Sequence, residues 1–132
     1  TIMSKHFTIG RRVHIAPNNF FSGGGSIDID DYAGIATGCN IITSTAVLES
    51  GMRCSGPMAS PNQMKMVSSG VQVGKDAFVC TGVTLLNGVV VATGSVVGAG
   101  VILGKSTEPW GVYVGAKPFK LKEREQVRHP DN

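Results

Sequence analysis

Three histidines are the side chains of this sequence best suited to proton transfer near neutral pH, because imidazole ordinarily changes charge there. They are His6, His14 and His129. His129 lies in the polar segment "RHPDN", which favours simple solvation, and His6 lies close to the first residue. His14 lies between Val13 and Ile15 in an apolar context. We therefore take His14 as the first candidate for a general base, with a surface histidine of no catalytic role as the alternative.

Cysteine usage points to a reducing compartment. Cys39, Cys54 and Cys80 make an odd count with no CxxC pair. This pattern argues against a disulfide framework and against a zinc site. The opening residues "TIMSKHF" lack the apolar core of a secretory signal peptide. The sequence therefore predicts a cytoplasmic protein with no metal.

The charge pattern does not predict nucleic-acid binding. The net charge is +3, and charged residues make up 16% of the chain. Phosphate-backbone binding usually requires a concentrated basic stripe. The basic residues cluster near the end, where Glu123 and Glu125 alternate with them, as on a solvated helix face; they are Lys117, Lys120, Lys122, Arg124 and Arg128.

Large aliphatic residues recur every six residues through the second half of the chain. Four residues after each comes a second series of mostly small or β-branched residues. Since six is even, both series can face the same way along an extended chain. The first series is Val73, Val79, Leu85, Val91, Val97 and Leu103, and the second is Ala77, Val83, Val89, Ser95 and Val101.

The six-residue period distinguishes a membrane helix, an amphipathic helix and a β-helix as the structure of the weakly charged stretch Val71–Trp110. A membrane helix needs roughly 20 apolar residues but imposes no six-residue rule, and an amphipathic helix repeats near 3.6. Three short strands and three corners instead close a triangular coil of about 18 residues, whose copies stack about 4.8 Å apart. The sequence predicts an all-β fold, a parallel β-helix of hexapeptide repeats, and no membrane span.

The first half carries the same period with two interruptions. The segment "SGGGS" (Ser22–Ser26) shifts the phase by two residues, and between residues 48 and 70 the pattern is absent. A loop of that length in a compact domain is usually functional or disordered. The predicted inward residues are Ile9, Ile15 and Phe21, then Ile27, Ile29, Ala33, Ile35, Cys39, Ile41, Thr45 and Val47.

After Leu103 the period ends, and the last residues "KPFKLKEREQV" read as a short helix over about 117–127. Such a helix would cover the open edge of the last coil. We expect residues 1–132 to form one domain, with the loop excursion at 48–70 and this terminal helix.

Three segments resemble hexapeptide-repeat acyltransferases, and most closely the sugar O-acetyltransferases of bacterial polysaccharide and O-antigen clusters. The stretch "VGKDAFVCTGVTLLNGVVVATGSVVGAGVILGKS" resembles the family pattern IGxxxxIGxxxxILPGVxIGxxxxVGAxSxVTKD. The stretch "EPWGVYVGAKPFKLKER" is similar to the closing motif PxWxxYxGxPAKxIKxR. The stretch "IGRRVHIAPNNFFSGGGSIDIDDYAGIATGCNI" resembles the coil that carries "HIA".

The resemblance implies a left-handed β-helix that assembles as a homotrimer. It implies acetyl-coenzyme A as the acyl donor, in the groove between neighbouring subunits. It also implies that Thr81, Gly82, Gly98, Ala99 and Gly100 line the pantetheine arm, because they match the family segments along which that arm lies. The phosphates of the donor would lie near Lys105, Lys117 and Lys120, which correspond to the family's phosphate-binding region.

Acetyl transfer to a hydroxyl needs a base, and His14 matches the histidine of the family's "HIA" segment. Three asparagines, Asn18, Asn19 and Asn40, are candidates for holding the acceptor. The alternative is that they are corner residues, since asparagine tolerates left-handed backbone. Arg53, in the excursion, is a further candidate for contact with a sugar.

The sequence predicts an acetyl-coenzyme A-dependent acetyltransferase. Its acceptor would be a sugar hydroxyl, carried by a free sugar, a nucleotide-sugar or a glycan. N-acetylation of an amino sugar is a close variant. A non-catalytic β-helix that serves oligomerisation or binding is the alternative from another class. A γ-type carbonic anhydrase shares the fold, but it needs three histidines gathered on zinc, an arrangement that the three histidines of this sequence lack.

Overall fold

The computed structural model describes residues 6–46, 66–115 and 119–126, and every regular element within them is a β-strand. Most strands have two to four residues, as expected of a chain that turns a corner after every few residues. They are β1 His6–Ile9, β2 His14–Ile15, β3 Phe20–Ser22, β4 Ser26–Ile29, β5 Gly34–Ile35, β6 Asn40–Ile42, β7 Ser44–Ala46, β8 Met66–Ser68, β9 Val71–Val73, β10 Phe78–Val79, β11 Thr84–Leu85, β12 Val90–Val91, β13 Val96–Val97, β14 Ile102–Leu103, β15 Gly111–Val114 and β16 Phe119–Glu123.

Three sheets form the walls of a triangular coil. The first wall has the order β1-β4-β9-β12, the second β2-β5-β10-β13-β15-β16, and the third β3-β6-β11-β14. Every pairing within the walls is parallel except that of β15 with β16. Successive strands visit the three walls in turn, so the predicted all-β parallel β-helix is confirmed. No helix in the described part of the chain is long and apolar enough to cross a membrane.

Strand register gives the length of each coil. Ile29 pairs with Ile9, 20 residues earlier, whereas Val91 pairs with Val73, 18 residues earlier. The two additional residues of the first coil lie at Ser22–Ser26, which confirms the predicted phase shift.

Both hexapeptide series of the second half point into the coil, and their members are at most 3% exposed. Burying each valine, leucine or isoleucine contributes about 1.5–3 kcal/mol. Ile9 pairs with the buried Ile29 and so faces inward as predicted, and it is 47% exposed because β1 is the edge strand of the first wall. Thr45 was assigned wrongly: it is exposed, because the chain has left the coil there. Thr43 takes the inward place instead and is fully buried. The assignment of Val47 falls outside the described residues.

The excursion leaves the third corner of the second coil through a short antiparallel ribbon of β7 and β8. Residues 66–68, predicted as loop, are therefore a strand. The glycine turn holds the base of the ribbon: the Gly24 amide donates to Ser44 Oγ at 2.7 Å and the Gly25 amide to Thr43 Oγ1 at 3.0 Å. Residues 47–65, which include most of the predicted loop, lie outside the description.

The predicted terminal helix is wrong over Phe119–Glu123, which form β16. This strand turns back on β15 and pairs with it in antiparallel register. The residues "KLKE" favour helix by propensity, but β15 presents a row of unpaired backbone groups that a helix cannot satisfy. Hydrogen bonding to that edge outweighs a local preference of a few tenths of a kcal/mol per residue.

Candidate active site

His14 lies on the outward side of the second wall. Its strand, β2, pairs with β5, so His14 stands next to Gly34 while Ile15 turns toward the core. The His14 amide donates to the carbonyl of Ala33 at 3.0 Å, and the side chain is exposed. Ile15 belongs to the predicted inward series, so alternation along the strand predicts that its neighbour His14 points outward, and it does.

A groove of about 670 Å³ runs along the second wall beside His14. We call it the His14 groove. Alanine, glycine, valine and phenylalanine residues form its floor, and charged or polar side chains stand along one side. The lining residues are Arg12, His14, Tyr32, Ala33, Gly34, Asp76, Ala77, Phe78, Val96 and Arg124.

The charged side of the groove is a column of stacked corners. Arg12, Tyr32, Asp76 and Trp110 all have positive φ, between 55° and 63°, as does Gly94 at 71°. Successive corners are joined by backbone hydrogen bonds, among them Asp76 N to Asp31 O at 3.1 Å and Gly94 N to Lys75 O at 2.8 Å. Side chains that leave this column therefore lie directly above one another, along the groove.

Two guanidinium groups bracket the groove. That of Arg12 lies over the Tyr32 ring at 5.9 Å, and that of Arg124 lies over the Trp110 ring at 5.5 Å. Arg124 Nη1 also donates to the carbonyl of Gly94 at 3.1 Å and more weakly to that of Asp76 at 3.3 Å. Such contacts help to orient each cation, so a positive charge lies at both ends of the groove.

Sequence reasoning did not find Arg12, Tyr32, Phe78 or Arg124. The first two lie 20 residues apart, which is one coil, so alignment of successive coils would have placed them together. Arg124 was assigned to a solvated helix face, and nothing in its local sequence predicts that β16 returns it to the groove.

The opposite corner of the second wall is open and rich in glycine. Asn18, Gly38, Gly82 and Gly100 occupy equivalent left-handed positions in four coils, with φ between 65° and 75°. The Gly100 amide donates to the carbonyl of Thr81 at 2.9 Å. A β-carbon added at Gly100 would meet no atom within 4 Å. This column, the glycine corner, is a strip of exposed backbone that an extended chain can approach.

The structure brings together four of the five residues predicted to line the donor's arm. Thr81 and Gly82 lie directly beneath Ala99 and Gly100 in the glycine corner, and all four are exposed. Gly98 differs, because its amide donates to the carbonyl of Tyr113 at 2.8 Å and it lies against β15. Gly98 therefore lies at the inner margin of the corner.

Two of the three lysines predicted near the donor's phosphates lie in the described part of the chain. Lys105 follows β14, at the next corner of the coil, and Lys117 is outside the described residues. Lys120 Nζ donates to Glu108 Oε2 at 3.0 Å and to Glu123 Oε1. The hydrogen bond to Glu123, followed by that to Glu108, raises the pKa of Lys120 above its usual value. Lys120 is thus already paired with two carboxylates.

The predicted acceptor asparagines are spread over the coil, and none lines the His14 groove. Asn19 is 3% exposed; its Nδ2 donates to Ala16 O at 2.8 Å and its Oδ1 accepts from Cys39 N at 2.7 Å. Asn18 is an exposed left-handed corner residue, and Asn40 is exposed on the third wall. Asn18 thus matches the alternative of a left-handed corner residue, whereas Asn19 is a buried residue that links two coils through its side-chain hydrogen bonds. Arg53 lies outside the description.

Neither described cysteine is placed as a nucleophile. Cys39 is buried, and its Sγ lies 3.1 Å from the carbonyl oxygen of Cys80 and 3.3 Å from that of Ala36. Burial raises the pKa of both thiols, and proximity to Cys39 adds to the effect on Cys80. Both remain free thiols.

His6 lies on the first wall and is thus separated from His14 by a corner, and His129 is outside the described part. A second groove, of about 500 Å³, runs along the first wall, and Asp28, Asp30 and Gln72 are among its lining residues. It includes no histidine and no cation. Among described residues no three His, Cys, Asp or Glu side chains are grouped to hold a metal ion. The His14 groove is therefore the better candidate for proton-transfer chemistry.

Comparison with known proteins gave matches among solved structures. No protein-family model and no curated protein sequence matches the chain. AntD, an N-acyltransferase from Bacillus cereus, matches as a point mutant in complex with dTDP and coenzyme A, at 25% identity and a TM-score of 0.85, covering 94% of this chain and 67% of that one. AntD with dTDP and 3-hydroxybutyryl-CoA matches at 25% identity and 0.84, covering 94% and 66%.

A third match supports the fold. The maltose O-acetyltransferase of Clostridium difficile has 21% identity and a TM-score of 0.71, covering 95% of this chain and 70% of that one. The chain spans about two thirds of the length of the AntD chains. The predicted resemblance to hexapeptide-repeat acyltransferases is confirmed, and the AntD structures hold coenzyme A or an acyl derivative of it, in agreement with the predicted donor.

Proposed function

We propose that the chain is a coenzyme A-dependent acetyltransferase whose acceptor is a sugar hydroxyl, with His14 as the general base. One observation carries the proposal: His14 points into a groove on the second wall, and the same wall ends at the glycine corner. His14 and Gly82 are two coils apart, which is about 10 Å along the axis at the spacing of parallel strands. An acyl chain lying along the corner would bring its reactive end toward the coil of His14.

The glycine corner fits a donor arm because no side chain stands in front of its backbone. Gly38, Gly82 and Gly100 follow one another over three coils. Exposed carbonyl and amide groups beside such glycines offer hydrogen bonds to the amides of a pantetheine chain. Coenzyme A, when bound, supplies the acetyl group as a thioester.

His14 acts on the acceptor in this mechanism. Its unprotonated ring nitrogen takes the proton of the acceptor hydroxyl while the hydroxyl oxygen attacks the thioester carbonyl. The C–O bond forms, the C–S bond breaks, and His14 returns the proton to the departing thiolate. Arg12 and Arg124 hold positive charge at the two ends of the groove and suit an acceptor that carries phosphate or carboxylate groups.

N-acylation of an amino sugar is the second candidate. The observation in its favour is that AntD, an N-acyltransferase crystallised with dTDP, matches this chain at a TM-score of 0.85, against 0.71 for the maltose O-acetyltransferase. A nucleotide-linked sugar is accordingly among the acceptors to be tested. A non-catalytic β-helix module remains the alternative from another class.

We also propose a homotrimer with the site between subunits, as the resemblance implies. Sedimentation equilibrium tests it directly. A mass of three chains supports the proposal, and a stable monomer that still turns over would contradict a site shared between subunits.

The test of function begins with binding. Calorimetric titration with acetyl-coenzyme A should give saturable binding by the purified chain. Release of coenzyme A, followed by chromatography, should then depend on an added acceptor, and a series of hexoses, amino-dideoxyhexoses and their dTDP conjugates separates O- from N-transfer. No binding of acetyl-coenzyme A by well-folded protein would favour the non-catalytic module.

A further inference from the structure

Phe78 is a large apolar side chain on the outward side of the second wall, and it is 40% exposed. Strand pairing places it in one row with three other residues, in the order His14, Gly34, Phe78, Val96. Exposing so much of a phenylalanine costs free energy, since burying an aromatic ring is favourable. A function that requires an exposed ring would explain the position.

Gly34 sets the direction of this ring. A β-carbon on Gly34 would lie 2.8 Å from Phe78 Cδ2 and 3.1 Å from Cε2. The ring therefore occupies the space above Gly34 and leans along the wall toward His14. Gly34 does not have a positive φ, so glycine is not required here by the backbone conformation. It is required because a side chain at this position would occupy the space of the Phe78 ring.

The surroundings of the ring are charged. Arg12, Asp76 and Arg124 line the His14 groove together with His14 and Phe78. Cores of protein–protein interfaces are depleted of charged residues, whereas small-molecule sites combine an apolar or aromatic floor with a few polar groups. The volume of about 670 Å³ also falls in the range of small-molecule sites. The groove has the composition of a ligand site.

We propose that the Phe78 ring is the platform on which the acceptor's pyranose ring lies. This inference rests on the proposed function and names how its acceptor is held. A pyranose presents C–H bonds on one face, and neighbouring oxygens make their hydrogens slightly positive. The face of an aromatic ring is negative, so the two faces attract while the sugar hydroxyls remain free to reach His14 and the charged side chains. An acyclic polyol has the same hydroxyls but no such face.

The platform makes Phe78 a residue that determines specificity for cyclic acceptors. Phe78→Leu keeps an apolar side chain but removes the π face, and Phe78→Tyr retains it. Gly34→Ala keeps Phe78 and displaces the ring, since its edge is the nearest group to the added methyl. Phe20→Leu is a matched control, because Phe20 is 51% exposed and lies on the third wall.

Saturation-transfer NMR tests the platform on the full chain without any acyl donor. The probes are methyl α-glucopyranoside, methyl α-galactopyranoside and, as the acyclic control, mannitol. We expect transfer to the ring C–H protons of at least one pyranoside and little transfer to mannitol. Affinity should fall about three- to tenfold in Phe78→Leu and in Gly34→Ala, the range that one aromatic contact supplies. Phe20→Leu and Phe78→Tyr should retain it.

Equal transfer in wild type and Phe78→Leu would overturn the platform. Equal transfer to mannitol, no transfer to either pyranoside, or loss of transfer in Phe78→Tyr would also overturn it. The measurement is independent of turnover. If the chain binds pyranosides through Phe78 but transfers no acetyl group, the result would support the platform and contradict the proposed function.

Discussion

The indole ring of Trp110 lies against the backbone of Gly94, in the space where any other residue at position 94 would carry its side chain. Gly94 is buried and has φ of 71°. The guanidinium of Arg124 lies over the same indole ring and donates to the Gly94 carbonyl. Trp110 thus braces the last coil, and through Arg124 it connects that coil to the terminal strand β16 and to the end of the His14 groove.

Gly94→Ala should therefore destabilise the protein strongly. The left-handed conformation costs an alanine about 1 kcal/mol, and the overlap with Trp110 adds roughly 1–3 kcal/mol. Urea unfolding measures the loss. Gly88→Ala is the matched control, because Gly88 has φ of 84° but its added β-carbon would lie 3.5 Å from the nearest atom. If both variants lose the same free energy of unfolding, backbone strain alone accounts for the effect.

His14→Ala should lower the rate constant for acetyl transfer by about 10²- to 10⁴-fold, the usual contribution of a general base. The side chain is exposed, so the thermal midpoint should change little. His6→Ala, which removes an exposed histidine from the first wall, should retain activity. A His14→Ala variant with wild-type turnover would remove His14 from the mechanism.

Gly100→Ala should weaken acetyl-coenzyme A binding about tenfold, a cost of about 1.4 kcal/mol. Its methyl group would project into open space at the glycine corner, where we propose that the donor's arm lies. Gly88→Ala again serves as control, since it introduces a similar backbone strain at another corner. Calorimetric titration of both variants separates the two effects: equal losses of affinity would place the arm elsewhere.

Lys120→Met should leave the affinity for acetyl-coenzyme A nearly unchanged. The Lys120 ammonium is already paired with Glu108 and Glu123, so it is not available to a phosphate while those ion pairs persist. Lys105→Met provides the comparison, because Lys105 has an exposed side chain at the next corner along the coil. If Lys120→Met weakens binding at low salt as much as loss of a phosphate contact would, the ion pair must open when the donor binds.

The stability of the protein should fall as pH rises above the ordinary thiol pKa of 9.0, partly through Cys39. Burial raises the pKa of this thiol, so the folded state keeps the proton where the unfolded chain releases it. The stabilisation is complete below the unfolded pKa and is lost as pH rises toward the folded one. Urea unfolding at about pH 8 and about pH 10 should show a smaller difference for Cys39→Ala than for wild type. An identical difference would mean that Cys39 does not titrate in this range.

Much of the fold could be predicted because its information is local and repeated. An aliphatic residue at every sixth position is sufficient to specify which side of an extended chain is buried, and Leu85 and Val97 confirm it at 0% exposure. The same repetition accounts for the stacking of Thr81–Gly82 beneath Ala99–Gly100 that the structure shows. The prediction was wrong at Thr45, where the chain leaves the coil, and in the terminal segment, where the chain pairs back on the last strand of the second wall.

The sequence by itself determined the β-helix, its phase shift at Ser22–Ser26 and the outward direction of His14, since each follows from a six-residue period that runs through most of the chain. Only the tertiary structure decided that β16 is a strand, that Arg124 returns to Trp110 and Gly94, and that Phe78 leans over Gly34 toward His14. These contacts join residues up to 48 positions apart, such as Asp76 and Arg124. The free energy of each contact depends on which strand edge is left unpaired, or which space is left empty, by the rest of the fold. Local sequence carries no information about either.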